Sequence, residues 1–319
     1  MPETETISIA KTIFKRVLKL MGNRFEISVV ADEDDEGWAN NCIESAVGEI
    51  QRIEKLLTTF DENSQTNKIN QYAGLAPVRV NKEVFDLIER SIRISEITQG
   101  AFDITYGSID KRLWNFDKKM TALPSKEDAK KLVRLIDYRN VILDYQNCTV
   151  LLKESGMRIG FGGIGKGYAA ERAKRLLQQN GVESGIVNAA GDLTTWGFQP
   201  DGKPWTIGIV SPDKSDQPFS YLNITGLAVA TSGNYEKFVM IDGEKYSHTI
   251  DPKTGLPVHG IKSVTIISPN AEIADAMATP VMIMGVKVGL DLINQIDGMA
   301  CIIIDEEDKI YTTANVKLK

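Results

Sequence analysis

The chain has 319 residues, and a composition of 42% hydrophobic, 7% aromatic and 25% charged residues is that of a folded globular protein, which excludes a disordered, collagen-like or small disulfide-stapled chain. Its length is about twice a ~150-residue domain, so one large domain or two tightly packed ones is expected. With 37 Lys+Arg against 43 Asp+Glu and a net charge of −6, it has no basic field of the kind that binds a phosphate backbone, and nucleic acid is not expected as a partner.

Period-two apolar positions predict strands over residues 11 to 31, joined at Met21-Gly22-Asn23, with a turn at Asp32 to Glu36. Apolar residues at helical spacing from Trp38 to Leu57 predict a long amphipathic helix. An acidic-polar loop is expected from Phe60 to Asn70. A second helix follows from Lys82 to Thr98, capped by Asn81 and ended by Gly100. A helix over Lys126 to Ile136 leads to strands at Val141 to Leu143 and Thr149 to Leu152.

A glycine-rich stretch then opens a helix over Tyr168 to Asn180, closed by Gly181. Beyond it the pattern is mostly β: Ile186 to Asn188, Trp205 to Val210, Ser220 to Ile224, Ala228 to Thr231, Phe238 to Ile241 and Ser263 to Ile267. A helix over Ala271 to Met284, a short one over Val286 to Gln295, and a hairpin of Ala300 to Ile304 with Lys309 to Thr313 complete the chain. Helices and hairpins mix without steady βαβ alternation, which predicts an α+β fold.

Cys42, Cys148 and Cys301 are widely spaced, with no CxxC pair, so neither a disulfide framework nor a zinc site is expected, and all three read as buried small apolar residues. The N-terminus has no apolar h-region with a small-residue cleavage site, and no ~18-residue apolar run occurs. A cytoplasmic location is expected for the chain as numbered, and a periplasmic or membrane-anchored one if a leader was removed.

Gly160-Phe-Gly-Gly-Ile-Gly165-Lys166-Gly167 satisfies GxxxxGK, the start of a phosphate-binding loop. Gly167 stands where such a loop needs Ser or Thr for Mg2+, which argues against an NTPase. Backbone amides at a helix N-terminus still favour an anion there, and a tight turn alone is the other reading. His248, one of two histidines, precedes the rigid Asp251-Pro252-Lys253-Thr254-Gly255 turn, where it serves either as a general base or as a structural residue. His259 reads as a surface residue. Asp275 and Thr279 fall at i and i+4 among alanines, an oxygen pair for Mg2+ or a helix-capping pair.

Taken in order, Met21-Gly22, Phe60-Asp61 with Ser64 and Asn70, GAFDIT from Gly100, GGIGKGYAAERA from Gly162, Ala190-Gly191-Asp192, ATSGNYEKF from Ala230, HTIDPKTGLPV from His248 and ADAMAT from Ala274 resemble the motifs of the FAD:protein FMN transferase (ApbE, flavin transferase) family. The resemblance runs from about Met21 to Gly285. It implies an ApbE-like α+β fold of mixed and antiparallel sheets with packed helices, two closely associated subdomains within one domain over 11–315, and an N-terminal extension over 1–10.

The resemblance also implies Mg2+-dependent transfer of FMN from FAD to a threonine or serine of an acceptor flavoprotein, with release of AMP. Such acceptors carry a Gly-Ala-Thr or Gly-Ala-Ser type motif, which this chain lacks. Met21, Phe60, Ala101, Phe102, Asp103, Gly160, Lys166 and Ile250 fall where the family contacts FAD. Asp275, Thr279 and the Gly163 carbonyl fall at the metal positions, and His248, with Asp275 as the other candidate, at that of the base. Many members have Asp where this chain has Gly160, and Asp192 or Asp251 could supply the missing carboxylate. An FAD pyrophosphatase and a non-catalytic FAD-binding protein are the alternative functions.

Overall fold

Alternating burial sets the first hairpin. Strands β1 (Lys11–Leu20) and β2 (Asn23–Asp32) pair antiparallel, Leu20 opposite Asn23, so the turn is two residues long. Met21 (φ 50°) and Gly22 (φ 73°) are both left-handed there, as a two-residue turn matching strand twist requires. The computed structural model describes residues 10–110, 122–211, 214–234, 238–241 and 244–316. Residues 1–9 of the expected N-terminal extension, and Tyr235 to Lys237 within one motif, lie outside the described residues.

Helix α1 (Glu36–Leu57) follows as its spacing predicts, burying Ala39, Ile43, Ala46, Val47, Ile50, Ile53 and Leu57. The expected loop after it contains helix α2 (Gln65–Gln71). No apolar stripe announces α2, because of its buried side chains only Ile69 is apolar, while Thr66, Asn67 and Asn70 are polar. Ser64 Oγ caps Asn67 N at 3.0 Å, Thr66 Oγ1 donates to Leu57 O at 3.1 Å, and Asn70 exchanges hydrogen bonds with both backbone groups of Ile159. A two-residue strand, β3 (Val78–Arg79), precedes helix α3 (Lys82–Ile97). Asn81 does not cap α3 with its side chain.

Helix α4 (Lys126–Leu132) stops short of Ile136, since the Leu132 carbonyl accepts from Asp110 N at 3.0 Å. Strands β4 (Val141–Asp144) and β5 (Thr149–Leu152) join β3 in a small antiparallel sheet, order β3-β5-β4. Helix α5 (Gly165–Gln179) begins three residues before the expected Tyr168, with Gly165 N donating to Phe161 O at 2.7 Å.

The C-terminal half contributes β6 (Gly185–Ala189), β7 (Asp192–Trp196), β8 (Trp205–Ser211), β9 (Lys214–Ile224), β10 (Ala228–Gly233), β11 (Phe238–Ile241), β12 (Glu244–Ser247) and β13 (Ile261–Ser268). The sequence reading omits β7 and β12. All five β7 residues are buried, so no alternation marks it. Helix α6 (Ala271–Asn294) breaks at Gly285 (φ 82°, ψ 170°), where two helices were expected. Strands β14 (Ala300–Asp305) and β15 (Ile310–Thr312) form the last hairpin.

Eight strands make one antiparallel sheet in the order β1-β2-β6-β7-β10-β13-β14-β15. Successive side chains point to opposite faces, so Val29, Ile266 and Ile303 enter the core under α1, α5 and α6. Their neighbours Val30, Ile267 and Ile302 pack instead against Trp205, Ile207, Ile209 and Ile224 of the β8–β9 hairpin. The α+β expectation holds. Helix α6 is long and apolar enough to cross a membrane by length and composition, but Ala274, Ala276, Ala278, Val281 and Met282 are buried in the core. Cys42 and Cys301 are buried as expected, whereas Cys148 is half-buried.

Candidate active site

Three segments converge where α5 begins, and a fourth joins one of them. The first is the β1–β2 turn: a Cβ on Gly165 would stand 3.7 Å from Met21 Cε, so Met21 borders the glycine-rich loop. The second is the segment after α3, reversed by Gln99 (φ 51°) and Gly100 (φ 81°) and fastened by Phe102 N donating to Thr98 Oγ1 at 3.0 Å. Ala101 and Phe102 are buried, and the Phe102 ring lies against Gly163, 3.5 Å from where a Cβ would be.

Asp103 is buried and works inside this segment. Oδ1 accepts from Thr105 N and Oγ1 at 2.8 and 2.6 Å, and Oδ2 accepts from Tyr138 N at 3.0 Å. Burial raises its pKa, opposed by those hydrogen bonds. The carboxylate therefore shapes the loop that carries Phe102.

The third segment is the glycine-rich loop. Gly160 N donates to Ile104 O at 3.1 Å, and Cβ atoms on Gly160 or Gly162 would meet nothing within 4 Å. Open space thus lies over the loop that leads into α5, where helix amides favour an anion. Gly167 is different: a Cβ there would come within 2.7 Å of Asp275 Cβ and closer still to the Ala271 carbonyl oxygen. A residue able to reach Mg2+ by its own side chain has no room at this position. Close approach of α6 takes its place, with Gly167 N donating to Asp275 Oδ2 at 2.9 Å.

Asp275 is 8% exposed, and its pKa is pushed up to about 7, first by burial and then by the nearby charge of Asp192, against the opposing Lys166 charge and the Gly167 amide. Lys166 forms an ion pair with Asp192, which is 4% exposed. One turn along α6, Thr279 Oγ1 lies 2.8 Å from Ser232 Oγ on β10. With Asp275 ionised, two carboxylates face one ammonium, and the surplus negative charge suits a divalent cation. Among the described residues no cluster of three or more His, Cys, Asp or Glu side chains could hold a metal. A cation here would depend on the Asp275 carboxylate, the Thr279 hydroxyl, the Gly163 carbonyl and oxygens brought by a ligand, a hard-donor set that fits Mg2+.

The fourth segment follows β12. His248 is half-buried, between Ser247, whose Oγ accepts from Thr249 N at 3.1 Å, and Ile250. The Ile250 side chain is 2% exposed and packs in a satellite core with Ile109, Leu132 and Val133, while its N–H donates to the Tyr106 hydroxyl at 3.3 Å. Asp251 accepts from Lys253 N at 2.8 Å and Thr254 Oγ1 at 3.0 Å, so its carboxylate is engaged in its own turn. Lys253 Cε lies 3.9 Å from where a Gly100 Cβ would be, which joins this turn to the Phe102 segment. His259 is exposed, as expected.

Phe60 projects from its loop with its surface 97% exposed. Of the two carboxylates that could compensate for Gly160, Asp192 lies at the site. Ser232 was not among the expected site residues, and only its place in the motif from Ala230 hinted at it.

The sequence model of the ApbE family matches residues 21–303. A Salmonella typhimurium protein named FAD:protein FMN transferase is 31% identical over 319 residues, covering 98% of this chain and 89% of its own length. A Klebsiella pneumoniae protein of the same name is 33% identical over 272 residues, covering 85% and 84%. Among solved structures, an ApbE protein of Thermotoga maritima matches with a TM-score of 0.83 at 31% identity, covering 95% of this chain and 97% of that one. The flavinyl transferase ApbE of Pseudomonas stutzeri, in its apo form, gives 0.81 at 26% identity, covering 95% of each.

Proposed function

The chain belongs to the ApbE family, and from that premise we propose that it is a Mg2+-dependent FAD:protein FMN transferase, one catalytic domain over 11–315. The observation that carries this reading is the buried Asp275 carboxylate fastened to the first turn of α5 beside the Lys166–Asp192 pair, under a glycine loop with open space above it. Phosphoryl transfer needs positioning and charge neutralisation more than covalent help from the protein, and the loop amides, the ammonium and the hard oxygens supply both.

In this reading the FAD pyrophosphate meets the loop amides at Phe161, Gly162 and Gly163, and the Lys166 ammonium. Asp275, Thr279 and the Gly163 carbonyl would hold Mg2+, which when bound would neutralise pyrophosphate charge and stabilise the departing AMP. Met21, Ala101 and Phe102 wall the site, Asp103 and Ile250 support it from within, and Phe60 offers an exposed ring from outside. The acceptor hydroxyl attacks the FMN phosphorus, the phosphoanhydride bond to AMP breaks, and the hydroxyl proton passes to His248.

The test is to incubate the protein with FAD, Mg2+ and an acceptor domain carrying a Gly-Ala-Thr type motif, and to weigh the acceptor. A gain of one FMN is the expected result. AMP and free FMN with an unlabelled acceptor would mark a pyrophosphatase, and neither product would mark a binding protein.

A further inference from the structure

Asp192 stands outside the FAD and cation contacts assigned above, yet the chain goes to some length to place it. It is the first residue of β7, paired with Ala189 across a two-residue turn in which Ala190 (φ 55°) and Gly191 (φ 100°) are both left-handed. Alanine in that region is strained, and such strain persists where the surroundings over-determine it. Here Gly191 N is held by Asn188 Oδ1 at 2.8 Å. The product of the turn is a buried carboxylate delivered onto the ammonium of Lys166 and close enough for its charge to bear on Asp275.

A lysine at the start of a helix has a long, flexible stem, and its ammonium is a point charge without the fixed fork of an arginine. Lys166 is half-buried, at the second position of α5 beside the open glycine loop. What it neutralises therefore depends on what holds it. We propose that Asp192 is a positioning residue for the transfer reaction: it fixes the Lys166 ammonium at the mouth of the glycine loop, where that ammonium meets the pyrophosphate of the dinucleotide. The inference rests on the transferase reading.

Positioning and plain electrostatics predict opposite effects on the rate. Asp192 repels the anionic dinucleotide and competes with it for Lys166, so its removal leaves FAD affinity unchanged or tighter. The loss falls on the rate, because the ammonium is no longer held where charge develops in the transition state. Asp192→Asn keeps the shape of the side chain. It is expected to lower kcat on the order of tenfold, the usual scale for a supporting residue, with FAD Kd, read by flavin fluorescence without cation, unchanged or lower. In the Lys166→Met background the same substitution is expected to cost nothing further.

An unchanged kcat overturns the inference. So does an equal tenfold loss in the Lys166→Met background, which would mean that Asp192 acts on something other than Lys166. A FAD Kd that weakens together with a fall in melting temperature would make it a structural ion pair. Reading the cycle both as FMN gained by the acceptor and as AMP released keeps the two questions apart: AMP release without acceptor labelling overturns the transferase reading, while the cycle still decides Asp192.

Discussion

The backbone N–H of Gly167 donates to Asp275 Oδ2 at 2.9 Å, and no Cβ fits between the two helices at that point. One glycine thus sets both the distance from α5 to α6 and the place of the buried carboxylate. Gly167→Ala would drive a methyl group into the Ala271 carbonyl and the Asp275 Cβ, and neither can rotate away. Overpacking of this kind costs about 1–3 kcal/mol, and the helices must separate to relieve it. The variant is expected to melt at a lower temperature, in a thermal scan, and to need more Mg2+ for half-maximal FMN transfer. Wild-type values of both would mean that α6 can yield at no cost.

Asp275→Asn separates function from stability by the sign of each effect. The buried carboxylate lies near the Asp192 charge, and its ionised form is disfavoured first by burial. An amide of the same shape still offers Gly167 an oxygen while removing the repulsion. Activity is expected to fall at least a hundredfold, in line with loss of a metal ligand, while the cation-free protein melts at the same temperature or higher. Such a trade of stability for activity is common where a site stores unfavourable charge. Transfer activity near the wild-type level in this variant would remove Asp275 from the cation site.

Much of this was legible in the sequence because periodicity and turn chemistry report local physics. The Met21-Gly22 turn, helix α1 and the break at Gly285 were all foreseen. Segments whose burial follows no apolar period were not: α2 buries Ile69 among Thr66, Asn67 and Asn70, which with the Ser64 cap bond to the backbone, and every β7 residue is buried, polar and apolar alike. The motifs contained Lys166, Asp275 and Thr279, and also Asp192 and Ser232, but not the pairing among them. That Lys166 pairs with Asp192, and that Thr279 meets Ser232, depends on strands and helices far apart in the chain. Distance also separates Asp103 from its Tyr138 partner, whereas its bonds to Thr105 and those of Asp251 within its own turn are local.

The network on the far side of α5 sets a pH dependence. Arg52 donates to Glu49 and Glu83 at 2.7–2.9 Å, and these hydrogen bonds hold both carboxyls below the usual carboxylate range, against the opposing effect of partial burial. A lowered folded-state pKa gives stability that is present above the unfolded value, near 4.3, and lost as pH falls through the folded value. The arginine is part-exposed, so each pair is worth at most ~1 kcal/mol. Arg52→Met is expected to lower the melting temperature by a few degrees at pH 7, and this deficit should shrink as the pH drops below about 4. A deficit constant with pH would assign the effect to lost packing of the arginine stem.

Gly160, like Gly162, is a motif position with room to spare. A Cβ there meets nothing within 4 Å, and the residue is not among those with positive φ, so Gly160→Asp introduces no clash and no backbone strain. Replacing glycine also restricts the unfolded chain, which favours the folded state by about 0.4–1 kcal/mol. The new carboxylate would stand three residues before Gly163, whose carbonyl is assigned to the cation. The variant is expected to melt no lower than the wild-type chain and to reach half-maximal transfer at several-fold lower Mg2+, with the shift abolished by adding Asp275→Asn. If Gly160→Asp instead raises the Mg2+ requirement or blocks FAD binding, the space above the loop belongs to the dinucleotide, and glycine at this position is what admits it.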